Sequence, residues 1–594
     1  MCGIFGYYDL RRNALKSSVI SEMGAVIRHR GPDGMGIFHD VDRAVALGNQ
    51  RLAILDVEHG GQPFYSEDKS IVVVQNGEIF NYVEIAQELA RSGYPCVTGC
   101  DTEVILRVYE KYGVCGIEKF NGMFAIAIFD YRINRLYLFR DRAGEKPLHY
   151  SFDDGRFLFG SEIKSLLKAM PSHSVDYQAL DQFLAFNYVP PPRTMYKGIK
   201  HVMPGHYLEV DAGGVREKCW WDLSKIEIQD KTQDEWIKEF NATLDDAVRL
   251  RLRSDVPLGA FLSGGVDSSS VVGVMAKHLS SPVKTYCIGF DDPRYDESPY
   301  AQEAAERFGT DHHLNVVAPN MLSLWPMATY HCDQPHGDVS FMPTYRVSKM
   351  AAQDVKMVLT GDGADELFAG YDKYKNFFAS SDNMLSSSTE FQNNYADNIS
   401  LFTASERSRL FASSLQSQLE CSNTLLDVLQ PVYDASAHMD RINQVLYIDT
   451  VLLLPGNNLV KPDRMGMAAS IENRAPFLDY RMIELAFSMP GELKLHNGET
   501  KYIYKKAVTS LIGEHLAYRK KQMFTVPVGE WFKTELKAQC ENLLLSERVR
   551  ARQLFNYDYV AQIFKEHCEG LSNYTRQLRA LMALEYWYRC FEDE

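Results

Sequence analysis

The spacing of apolar and polar residues predicts a domain of mixed strands and helices in the first third of the chain. Short β-branched and aromatic runs bounded by turn residues, which are typical of strands, recur through residues 1–205. The segment Phe124–Asp130 is apolar almost throughout, which predicts a strand buried on both faces. An apolar stripe over Thr102–Tyr112 predicts a helix with Asp101 at its N-cap. Strands and helices mixed in this way predict a layered α+β domain.

A different pattern begins near Trp236. Helical periodicity over Glu235–Leu252 leads into an apolar strand, PLGAFLSGG, which is followed by a helix and the strand TYCIGF. A further strand at Val355–Gly363 leads into another helix, and this alternation predicts α/β architecture with a parallel sheet. The rest of the chain is mostly helical in pattern, apart from a Ser-rich segment at 380–388 that predicts an exposed loop.

A proline-rich stretch lies close to the boundary between the two patterns. Val189–Arg193 has the sequence VPPPR, and three prolines cannot continue a helix or a central strand. We therefore predict a first domain over residues 1–205, a linker over 206–235 and a second domain over 236–594.

Charge and hydropathy argue against two classes of partner. The 594 residues include 63 Lys plus Arg and 78 Asp plus Glu, which gives a formal net charge of −15. A surface that binds nucleic acid or an anionic membrane needs dense Lys and Arg, so neither partner is expected. The most apolar stretch, Val445–Leu454, is shorter than the ~20 residues of a membrane helix and contains Asp449.

The cysteines give no support to a metal or redox motif. There are 11 of them, scattered along the chain, and no two have the C-x-x-C spacing of a zinc ribbon or a thioredoxin-like site. Cys96 and Cys100 are separated by three residues, but no second pair matches them. Since the N-terminus also lacks the pattern of a signal peptide, we predict a cytoplasmic protein with reduced thiols.

The first candidate for chemistry is the N-terminal sequence MCGIFG. Removal of the initiator Met, which is usual ahead of a small residue, would leave Cys2 with both a thiol and its own α-amine. An α-amine has an unperturbed pKa of about 7.7–8. It can therefore serve as the base that activates the thiol as a nucleophile.

Four further motifs extend this signal and identify a family. In chain order they are RHRGPDG, NQRLAILD, QNGEIFN and TGCDTEVIL, at Arg28–Gly34, Asn49–Asp56, Gln75–Asn81 and Thr98–Leu106. Together with Cys2 they resemble the class II glutamine amidotransferases, the N-terminal-nucleophile glutaminases, over about residues 1–205. The resemblance implies an αββα sandwich in which Cys2 attacks the amide of glutamine and releases ammonia.

The same resemblance assigns roles to residues around Cys2. The Asn76 side chain and the Gly77 backbone N–H would stabilise the oxyanion of the tetrahedral intermediate. Arg51 would hold the carboxylate of the substrate glutamine as a fork. Asp101, with help from Glu78, would hold the ammonium group of the glutamine.

The second strong motif is SGGVDSS at Ser263–Ser269. It follows an apolar strand and precedes a helix predicted to begin near Ser268, and such a Gly-rich turn presents backbone N–H groups that bind phosphate. It lacks the pattern of a Walker A loop and resembles the PP-loop of ATP pyrophosphatases, which split ATP between the α- and β-phosphates. Asp267 is a natural Mg²⁺ ligand. The expected ATP-binding residues of the motif are Ser263, Gly264, Gly265, Asp267, Ser268 and Ser269.

Two downstream segments resemble the glutamine-dependent asparagine synthetases. They are LTGDGADELFAGY at Leu359–Tyr371 and LVKPDRMGMAASIENRAPFLD at Leu459–Asp479. The order of a glutaminase before a PP-loop domain resembles the same family, so the likeness covers essentially the whole chain. It implies a second domain with a parallel sheet wrapped in helices, of the adenine nucleotide α-hydrolase-like type.

This resemblance also assigns residues of the second domain. Asp365 would join Asp267 on magnesium, and Lys501 would face the α-phosphate and the acceptor, where it neutralises charge. Leu262, Ile288 and Gly361 match positions that hold adenine, largely through the backbone.

The chain departs from the family pattern at two positions. Asp362 stands where Glu is usual, so a carboxylate remains but is one methylene shorter, and Pro462 stands where Val is usual. An acceptor amino acid also needs a charge clamp for its own ammonium and carboxylate. Arg464, Glu472 and Arg474 are candidates for this clamp, and a structural ion-pair network fits them equally well.

The resemblance implies a two-step reaction. Glutamine is hydrolysed to ammonia, which passes through an internal apolar tunnel, while Mg-ATP converts an acceptor carboxylate to an acyl-adenylate. We expect L-aspartate as the acceptor and L-asparagine, AMP and pyrophosphate as products. The alternative is the same chemistry on another carboxylate, such as a sugar uronate in a bacterial biosynthetic pathway. Members of the family are often dimeric, so a homodimer is also expected.

Two other classes of function are disfavoured. An inactive chain that only senses glutamine or nucleotide would be expected to lack reactive groups, whereas Cys2, Asn76, Asp267 and Asp365 are all present. A tRNA-modifying PP-loop enzyme would need a basic domain with interleaved aromatic residues, and the acidic balance of this chain argues against it.

Overall fold

The structure is a computed structural model. It describes residues 2–290, 292–294, 296–317, 319–380, 383–384, 386–419, 424–520 and 528–593. Met1, whose removal the N-terminal motif predicts, lies outside the described residues, as do residues 381, 382 and 385 of the Ser-rich segment.

Two antiparallel sheets form the first domain. Within the described part of the chain each has six strands, in the orders β10-β8-β9-β1-β3-β2 and β12-β11-β7-β6-β5-β4. The first sheet contains β1 Cys2–Asp9, β2 Gly34–Asp40, β3 Val45–Arg51, β8 His149–Asp153, β9 Arg156–Gly160 and β10 Ile199–His201. The second contains β4 Phe64–Tyr65, β5 Ile71–Ile79, β6 Gly122–Asp130, β7 Arg135–Arg140, β11 His206–Asp211 and β12 Gly214–Cys219. The α-helices of this domain are Ser17–Ala25, Tyr82–Arg91, Asp101–Tyr112, Ile163–Leu167 and Tyr177–Phe186.

Side chains alternate between two cores, which produces the predicted αββα sandwich. In β6, Ala125 and Ala127 pack into the core between the sheets, whereas Phe124 and Ile126 pack against the helices on the outer face. Successive residues of a strand point to opposite faces, so a strand covered on both sides must be apolar throughout. The prediction that this segment is a strand buried on both faces is confirmed.

Two local predictions in this region are wrong. The predicted linker 206–235 includes β11 and β12, and β11 pairs with β7 from Leu136 to Phe139, so the second sheet extends to Cys219. β12 is the edge strand and none of its residues is buried, and β11 beside it is buried only over Leu208–Val210, so the sequence lacks the apolar signal of a buried strand. Asp101 is the first residue of its helix and not its N-cap, and its carboxylate accepts hydrogen bonds from Ile79 and Gln75 instead.

A parallel sheet forms the centre of the second domain. It has five strands within the described residues, in the order β15-β14-β13-β16-β17, and all four pairings are parallel. The strands are β13 Leu258–Phe261, β14 Lys284–Phe290, β15 Asp311–Val317, β16 Met357–Leu359 and β17 Glu472–Arg474. A small hairpin consists of β18 Leu495–His496 and β19 Glu499–Thr500. The predicted strands at PLGAFLSGG, TYCIGF and Val355–Gly363 correspond to β13, β14 and β16.

Helices surround this sheet and fill most of the remaining chain. The predicted helix at Glu235–Leu252 spans Gln233–Arg251 and begins with a capping box between Thr232 and Glu235. The other α-helices are Val266–His278, Ser298–Phe308, Trp325–Cys332, Phe341–Ala351, Ala364–Leu367, Asp372–Phe378, Ser388–Ile399, Ala404–Leu410, Ser413–Gln416, Thr424–Ala435, Arg441–Ile448, Val460–Ala468, Tyr480–Ser488, Tyr502–Ile512, Glu514–Tyr518, Val528–Trp531, Lys537–Leu544, Glu547–Arg552, Tyr557–Cys568 and Thr575–Phe591. A π-helix spans Asp449–Asn458, and 3₁₀ turns occur at Arg28–Arg30, Gly113–Lys119, Leu223–Lys225, Pro319–Leu324, Pro476–Leu478 and Gly491–Leu493.

Buried ion pairs join the two domains. Arg30 donates through both terminal nitrogens to Asp463, at 2.8 and 3.0 Å, and also contacts Glu162 of its own domain. Arg464 contacts the same Glu162 at 2.9 Å. Charges buried in this way hold a fixed geometry between the domains because each needs its partner in place. None of the helices in the described ranges is long and apolar enough to cross a bilayer.

Candidate active site

Cys2 lies at the start of a central strand of the first sheet. Strand β1 runs between β9 and β3, and Cys2 lies directly opposite Arg51, the last residue of β3. The backbone nitrogen of Cys2, which would become the α-amine after loss of Met1, donates to Asn76 Oδ1 at 3.1 Å. Burial raises the pKa of the thiol, while hydrogen bonds from Leu52 and Asn49 act in the opposite direction. The thiol therefore needs a neighbouring base to become a nucleophile.

Asn76 and Gly77 lie on strand β5, beside Cys2 of strand β1. The Asn76 amide nitrogen donates to Ser161 Oγ at 3.4 Å, and the same hydroxyl accepts from Ile4 N–H at 3.0 Å. Gly77 has a φ of +140°, and a Cβ at this position would lie 1.9 Å from the Met123 carbonyl oxygen. Only glycine fits this close approach of β6. The sequence-predicted oxyanion donors lie on the sheet that faces the sheet of Cys2, and the packing of the two sheets brings the Asn76 side chain next to the Cys2 nitrogen.

Arg51 faces the loop that follows its strand. Its guanidinium donates to the carbonyl oxygens of Leu55 and Asp56, at 3.1 and 2.7 Å, and to that of Val57 at 3.0 Å. These three carbonyl partners are neutral, so they do not compensate the positive charge of the Arg51 guanidinium. The arrangement keeps Arg51 close to Cys2 and available for a carboxylate.

Two buried carboxyl groups lie near the same end of β5. Asp101 Oδ2 accepts from Ile79 N–H at 2.9 Å and from Gln75 Nε2 at 3.0 Å, and burial raises the pKa of this residue. Burial raises the pKa of Glu78 well above its usual range, and the charges of Asp101 and Glu472 add to this effect. Glu78 Oε2 is buried and has no hydrogen-bond partner among the described residues. An ammonium group is the ligand that such a pair of carboxyl groups lacks.

The PP-loop motif lies at the carboxyl end of strand β13. The helix begins at Val266, two residues earlier than predicted, so Asp267 and Ser268 lie in its first turn. Gly264 has a φ of +69°, and a Cβ there would lie 2.2 Å from the backbone of Tyr300. Ser263 Oγ accepts from Gly265 N–H and contacts Ser268 Oγ, at 3.3 and 3.2 Å. The first N–H groups of a helix have no partner within it, so this turn offers donors to an anion.

Lys501 joins the two predicted magnesium ligands. Its ammonium lies 2.6 Å from both carboxylate oxygens of Asp267 and 2.5 Å from Asp365 Oδ1. Burial acts to lower the pKa of Lys501, but the charges of Asp267 and Asp365 outweigh it and raise the pKa. A Cβ at Gly370 would lie 1.9 Å from Asp365 and 2.2 Å from Lys501, so the loop is packed closely around the three charges.

Two carboxylates that converge on one ammonium form a cation site. Among the described residues no group of three or more His, Cys, Asp and Glu side chains is arranged to hold a metal. Mg²⁺ binds to proteins through one or two carboxylates and takes its other ligands from water and phosphate, so the pair Asp267 and Asp365 fits this ion.

The predicted adenine positions all lie toward the carboxyl ends of strands in the parallel sheet. Leu262 follows β13 and donates from its N–H to the Tyr286 carbonyl oxygen at 3.0 Å, and Ile288 lies in β14. Gly361 follows β16, and a Cβ there would lie 2.7 Å from Asp267 Cβ. Ligands of open parallel sheets bind outside the carboxyl ends of the strands, where these residues lie.

Asp362 lies in a cleft to which both domains contribute. Its Oδ2 accepts from the Thr360 hydroxyl at 2.7 Å, and burial raises its pKa. Residues of both domains line this cleft. Pro462 also lines it, in the first turn of its helix, where no backbone N–H is needed, and its carbonyl oxygen accepts from Asn473 at 2.5 Å.

The three candidates for an acceptor clamp lie at the domain interface. Arg464 pairs with Glu162, while Arg474 donates to Glu472 at 2.6 Å and lies 3.6 Å from Glu78. Their partners are therefore buried carboxylates, which matches the ion-pair network and not the clamp.

Several functional candidates were not found from the sequence. Arg519 donates from Nε to the Gly264 carbonyl oxygen at 2.9 Å and pairs with Glu297 at 2.6 Å, so it braces the PP-loop. Glu366, next to Asp365, is buried and accepts from Tyr371 at 2.6 Å. Its place in the GDGADE segment is a signal that could have found it, whereas Arg519 and Ser161 have none.

Family models match both parts of the chain. The model described as asparagine synthase matches residues 239–589, and the model described as glutamine amidotransferase domain matches residues 1–221.

Curated relatives match the chain along its length. It is 34% identical to "Asparagine synthetase [glutamine-hydrolyzing] 1" of Bacillus subtilis, over 99% of this chain and 96% of the relative. It is 29% identical to "Putative asparagine synthetase [glutamine-hydrolyzing]" of Mycobacterium bovis, over 100% of this chain and 98% of the relative. A further relative, "Amidase chyE" of Penicillium rubens, is 27% identical over 93% of this chain and 92% of its own length.

Proposed function

The chain belongs to the asparagine synthase family, and from that premise we propose that it converts L-aspartate to L-asparagine with glutamine as the source of ammonia. It is an enzyme that carries out glutamine-dependent amidation. The observation that carries the proposal for the synthetase step is the convergence of Asp267, Asp365 and Lys501 beside the PP-loop. These residues supply what adenylation needs, namely a cation site and a buried ammonium next to a phosphate-binding turn.

In the proposed glutaminase step, Cys2 attacks the amide carbon of glutamine. The nitrogen that lies 3.1 Å from Asn76 Oδ1 is the α-amine that accepts the thiol proton once Met1 has been removed. Asn76 and Gly77 stabilise the oxyanion, and the amide C–N bond then breaks as the α-ammonium returns its proton to the leaving nitrogen, which departs as ammonia. Water hydrolyses the resulting thioester, which releases glutamate and regenerates Cys2. Arg51 binds the carboxylate of the glutamine, and Glu78 with Asp101 binds its ammonium.

In the proposed synthetase step, the acceptor carboxylate attacks the α-phosphorus of ATP. The PP-loop N–H groups and the ammonium of Lys501 stabilise the negative charge that develops on the phosphates. Asp267 and Asp365 would hold Mg²⁺, which supplies charge neutralisation of the leaving pyrophosphate. Leu262, Ile288 and Gly361 position the adenine. Ammonia that has passed between the domains inside the protein then displaces AMP from the acyl-adenylate.

For the acceptor substrate, the structure gives a reason to consider a specific alternative to aspartate. Asp362 and Pro462, the two departures from the family pattern, both line the cleft between the domains. This placement favours a change of acceptor as the second candidate, with another carboxylic acid, such as a sugar uronate, in place of aspartate.

The proposal extends to location and assembly. None of the cysteines in the described part of the chain forms a disulfide, which is typical of a reducing compartment and supports a cytoplasmic location. We include a homodimer in the proposal on the basis of the family resemblance, and light scattering of the purified protein tests it directly.

A screen of acceptors tests the function. Pyrophosphate release is measured with Mg-ATP and ammonium across aspartate and other carboxylic acids, including uronates. Aspartate-dependent release with an equal amount of asparagine is the expected result. Release that responds to a uronate and not to aspartate would select the second candidate, and ADP with orthophosphate as products would overturn the PP-loop chemistry.

A further inference from the structure

A buried carboxyl group of the first domain faces the second domain at the cleft that contains Asp362. Glu145 and Lys146 follow strand β7 and line this cleft from the glutaminase side. From the other domain it is lined by Thr360, Asp362, Leu459, Pro462, Asp463, Asn473 and Ala475. Both domains therefore meet at a polar space beside a carboxylate of the GDGADE segment.

The charges around Glu145 are paired with one another. Asp141 accepts from the N–H groups of Glu145 and Lys146, both at 2.9 Å. Arg251 donates to Asp479 at 2.9 Å, and the Lys146 ammonium lies 4.0 Å from Asp463. The neighbouring cations are thus already engaged by other carboxylates.

Glu145 itself is buried without such a partner. Its side chain forms no hydrogen bond or ion pair in the described part of the chain, and only 7% of the residue is exposed. Burial raises its pKa to about 8, and the nearby charge of Asp141 adds to this, whereas Arg251 and Lys146 act in the opposite direction. A carboxyl group that titrates near neutrality can both take up and release a proton under working conditions.

The cleft also contains a buried hydrogen-bond acceptor atom that has no donor among the described residues. Asn473 donates from Nδ2 to the Pro462 carbonyl oxygen, but its Oδ1 is buried and has no partner among the described residues. An amine nitrogen in the cleft could donate an N–H to this oxygen. Asp362, in contrast, is already held by the Thr360 hydroxyl.

We propose that Glu145 accepts the proton that the attacking nitrogen must lose when the amide is formed. The proposal rests on the proposed function, because it concerns the second half of the same reaction. Ammonia forms a C–N bond with the acyl carbon, and the carbonyl electron pair moves to oxygen. One proton passes from the nitrogen to the Glu145 carboxylate, and the C–O bond to AMP then breaks with its electron pair leaving on AMP. Glu145 returns its proton to water.

The other ionisable groups of the cleft suit this role less well. Lys146 is held near Asp463, and Asp463 in turn is bound by both terminal nitrogens of Arg30. Those contacts lower the pKa of Asp463 against the opposing effect of burial, so it is a poor proton acceptor. Glu145 is the carboxyl group whose environment favours proton uptake without a competing ion pair.

The test uses Glu145→Gln with hydroxylamine as nucleophile, which is uncharged in the pH range of interest and so isolates the titration of the enzyme. In the wild type, hydroxamate formation should rise as the pH passes about 8. In Glu145→Gln we expect a loss of about 100-fold without that rise, while glutamine hydrolysis and pyrophosphate release in the first turnover, before the slowed amide step limits the rate, stay within about twofold. Glu145→Asp should recover part of the rate and keep the pH dependence, and Glu217→Gln, an exposed substitution in the same domain, should change nothing.

A wild-type rate and pH profile in Glu145→Gln would overturn the proposal, and an equal fall in all three activities would show a structural role instead. If the wild type releases no pyrophosphate with any acid, the proposed function fails by itself. The role of Glu145 is then decided by infrared difference spectra between wild type and Glu145→Gln. A carboxyl band that titrates near pH 8 and responds to ammonium is expected, and its absence would also reject the proposal.

Discussion

The two candidate sites treat buried carboxyl groups in opposite ways. In the glutaminase site, Glu78 on strand β5 lies close to Asp101 at the start of a helix, burial raises the pKa of both, and Glu78 Oε2 has no hydrogen-bond partner among the described residues. In the synthetase site, Asp267 and Asp365 are bound by the ammonium of Lys501. In the synthetase site one ammonium thus lies between both carboxylates, whereas in the glutaminase site Arg474 lies 3.6 Å from Glu78 Oε1 and Oε2 is left without a hydrogen-bond partner among the described residues.

The scaffolds of the two sites differ in the same sense. Cys2, Asn76 and Gly77 lie on strands that pair with neighbours on both sides, so their geometry is fixed by the sheet. The PP-loop and the Asp365 segment lie in turns beyond the strand ends. The fixed geometry suits the small amide substrate proposed for the first site, and loops that present N–H groups suit the triphosphate proposed for the second.

Removal of the Cys2 thiol should have the largest effect. In Cys2→Ala we expect glutamine hydrolysis to fall by about 10⁴-fold or more, since no other group can form the thioester. Amide formation from free ammonium should be retained, because the synthetase residues lie in the other domain. Glutamate release and ammonium-dependent asparagine formation measure the two halves separately.

The exposed thiol of Cys115 provides the control, because Cys115→Ala removes a cysteine of the same domain far from the strand pairing of β1. Glutamate release by Cys2→Ala at the wild-type rate would show that the nucleophile has been wrongly assigned.

Loss of one negative charge in the synthetase site should have the opposite effect: the synthetase reaction is lost and glutamine hydrolysis is retained. In Asp267→Asn we expect pyrophosphate release to fall by roughly 100-fold or more, because the cation site loses half of its negative charge. Glutamine hydrolysis should stay near the wild-type rate. A titration with Mg²⁺ distinguishes weaker metal binding, which excess metal rescues, from loss of the catalytic geometry.

Asp245→Asn, on the helix before β13, is the matched control. An unchanged rate of pyrophosphate release in Asp267→Asn at low Mg²⁺ would contradict the assignment of this residue to the cation site.

The sequence predicts these two sites unequally well. The glutaminase core is recoverable because a continuous apolar run, as in Phe124–Asp130, follows directly from two covered sheet faces. The PP-loop is recoverable because strand, glycine turn and helix are contiguous in the chain. The strands His206–Asp211 and Gly214–Cys219 are not, because only the middle of the first is buried and both therefore resemble a polar linker.

Groups that act across the domain boundary are the hardest to predict. Glu145, Arg474 and Arg519 become relevant only through residues that are hundreds of positions away or on another domain. No local periodicity or spacing records such contacts, because they depend on how the finished layers pack together. Lys501 was found only through family resemblance, since adjacent lysines at 505 and 506 look alike in sequence.

Arg474 connects the two sites and offers a way to disturb both. It donates to Glu472 at 2.6 Å and to the Arg251 and Arg253 carbonyl oxygens, at 2.8 and 2.7 Å, and it lies 3.6 Å from Glu78. Arg474→Leu should destabilise the protein by about 3 kcal/mol, because buried carboxylates lose their cation. A lower midpoint of thermal unfolding is the expected measurement.

The double variant Glu472→Gln/Arg474→Leu should recover part of that loss, since it removes the buried negative charge of Glu472 together with the guanidinium that contacts it. If Arg474→Leu unfolds at the wild-type temperature, the ion pairs at this interface do not contribute to stability.

The smallest expected effect is on the KM for glutamine and its dependence on pH. It tests the raised pKa of Glu78, the property that distinguishes the glutaminase site from the synthetase site. Burial, with the charges of Asp101 and Glu472, raises the pKa of Glu78, so this group is neutral over a wider range of low pH than an ordinary carboxyl. Only its ionised form attracts the ammonium of glutamine. The KM for glutamine should therefore fall as the pH rises through the raised pKa of Glu78, and Glu78→Gln should give a KM about tenfold higher with no such dependence. Glu58→Gln, at an exposed position, is the control, and a wild-type pH profile in Glu78→Gln would mean that another group binds the ammonium.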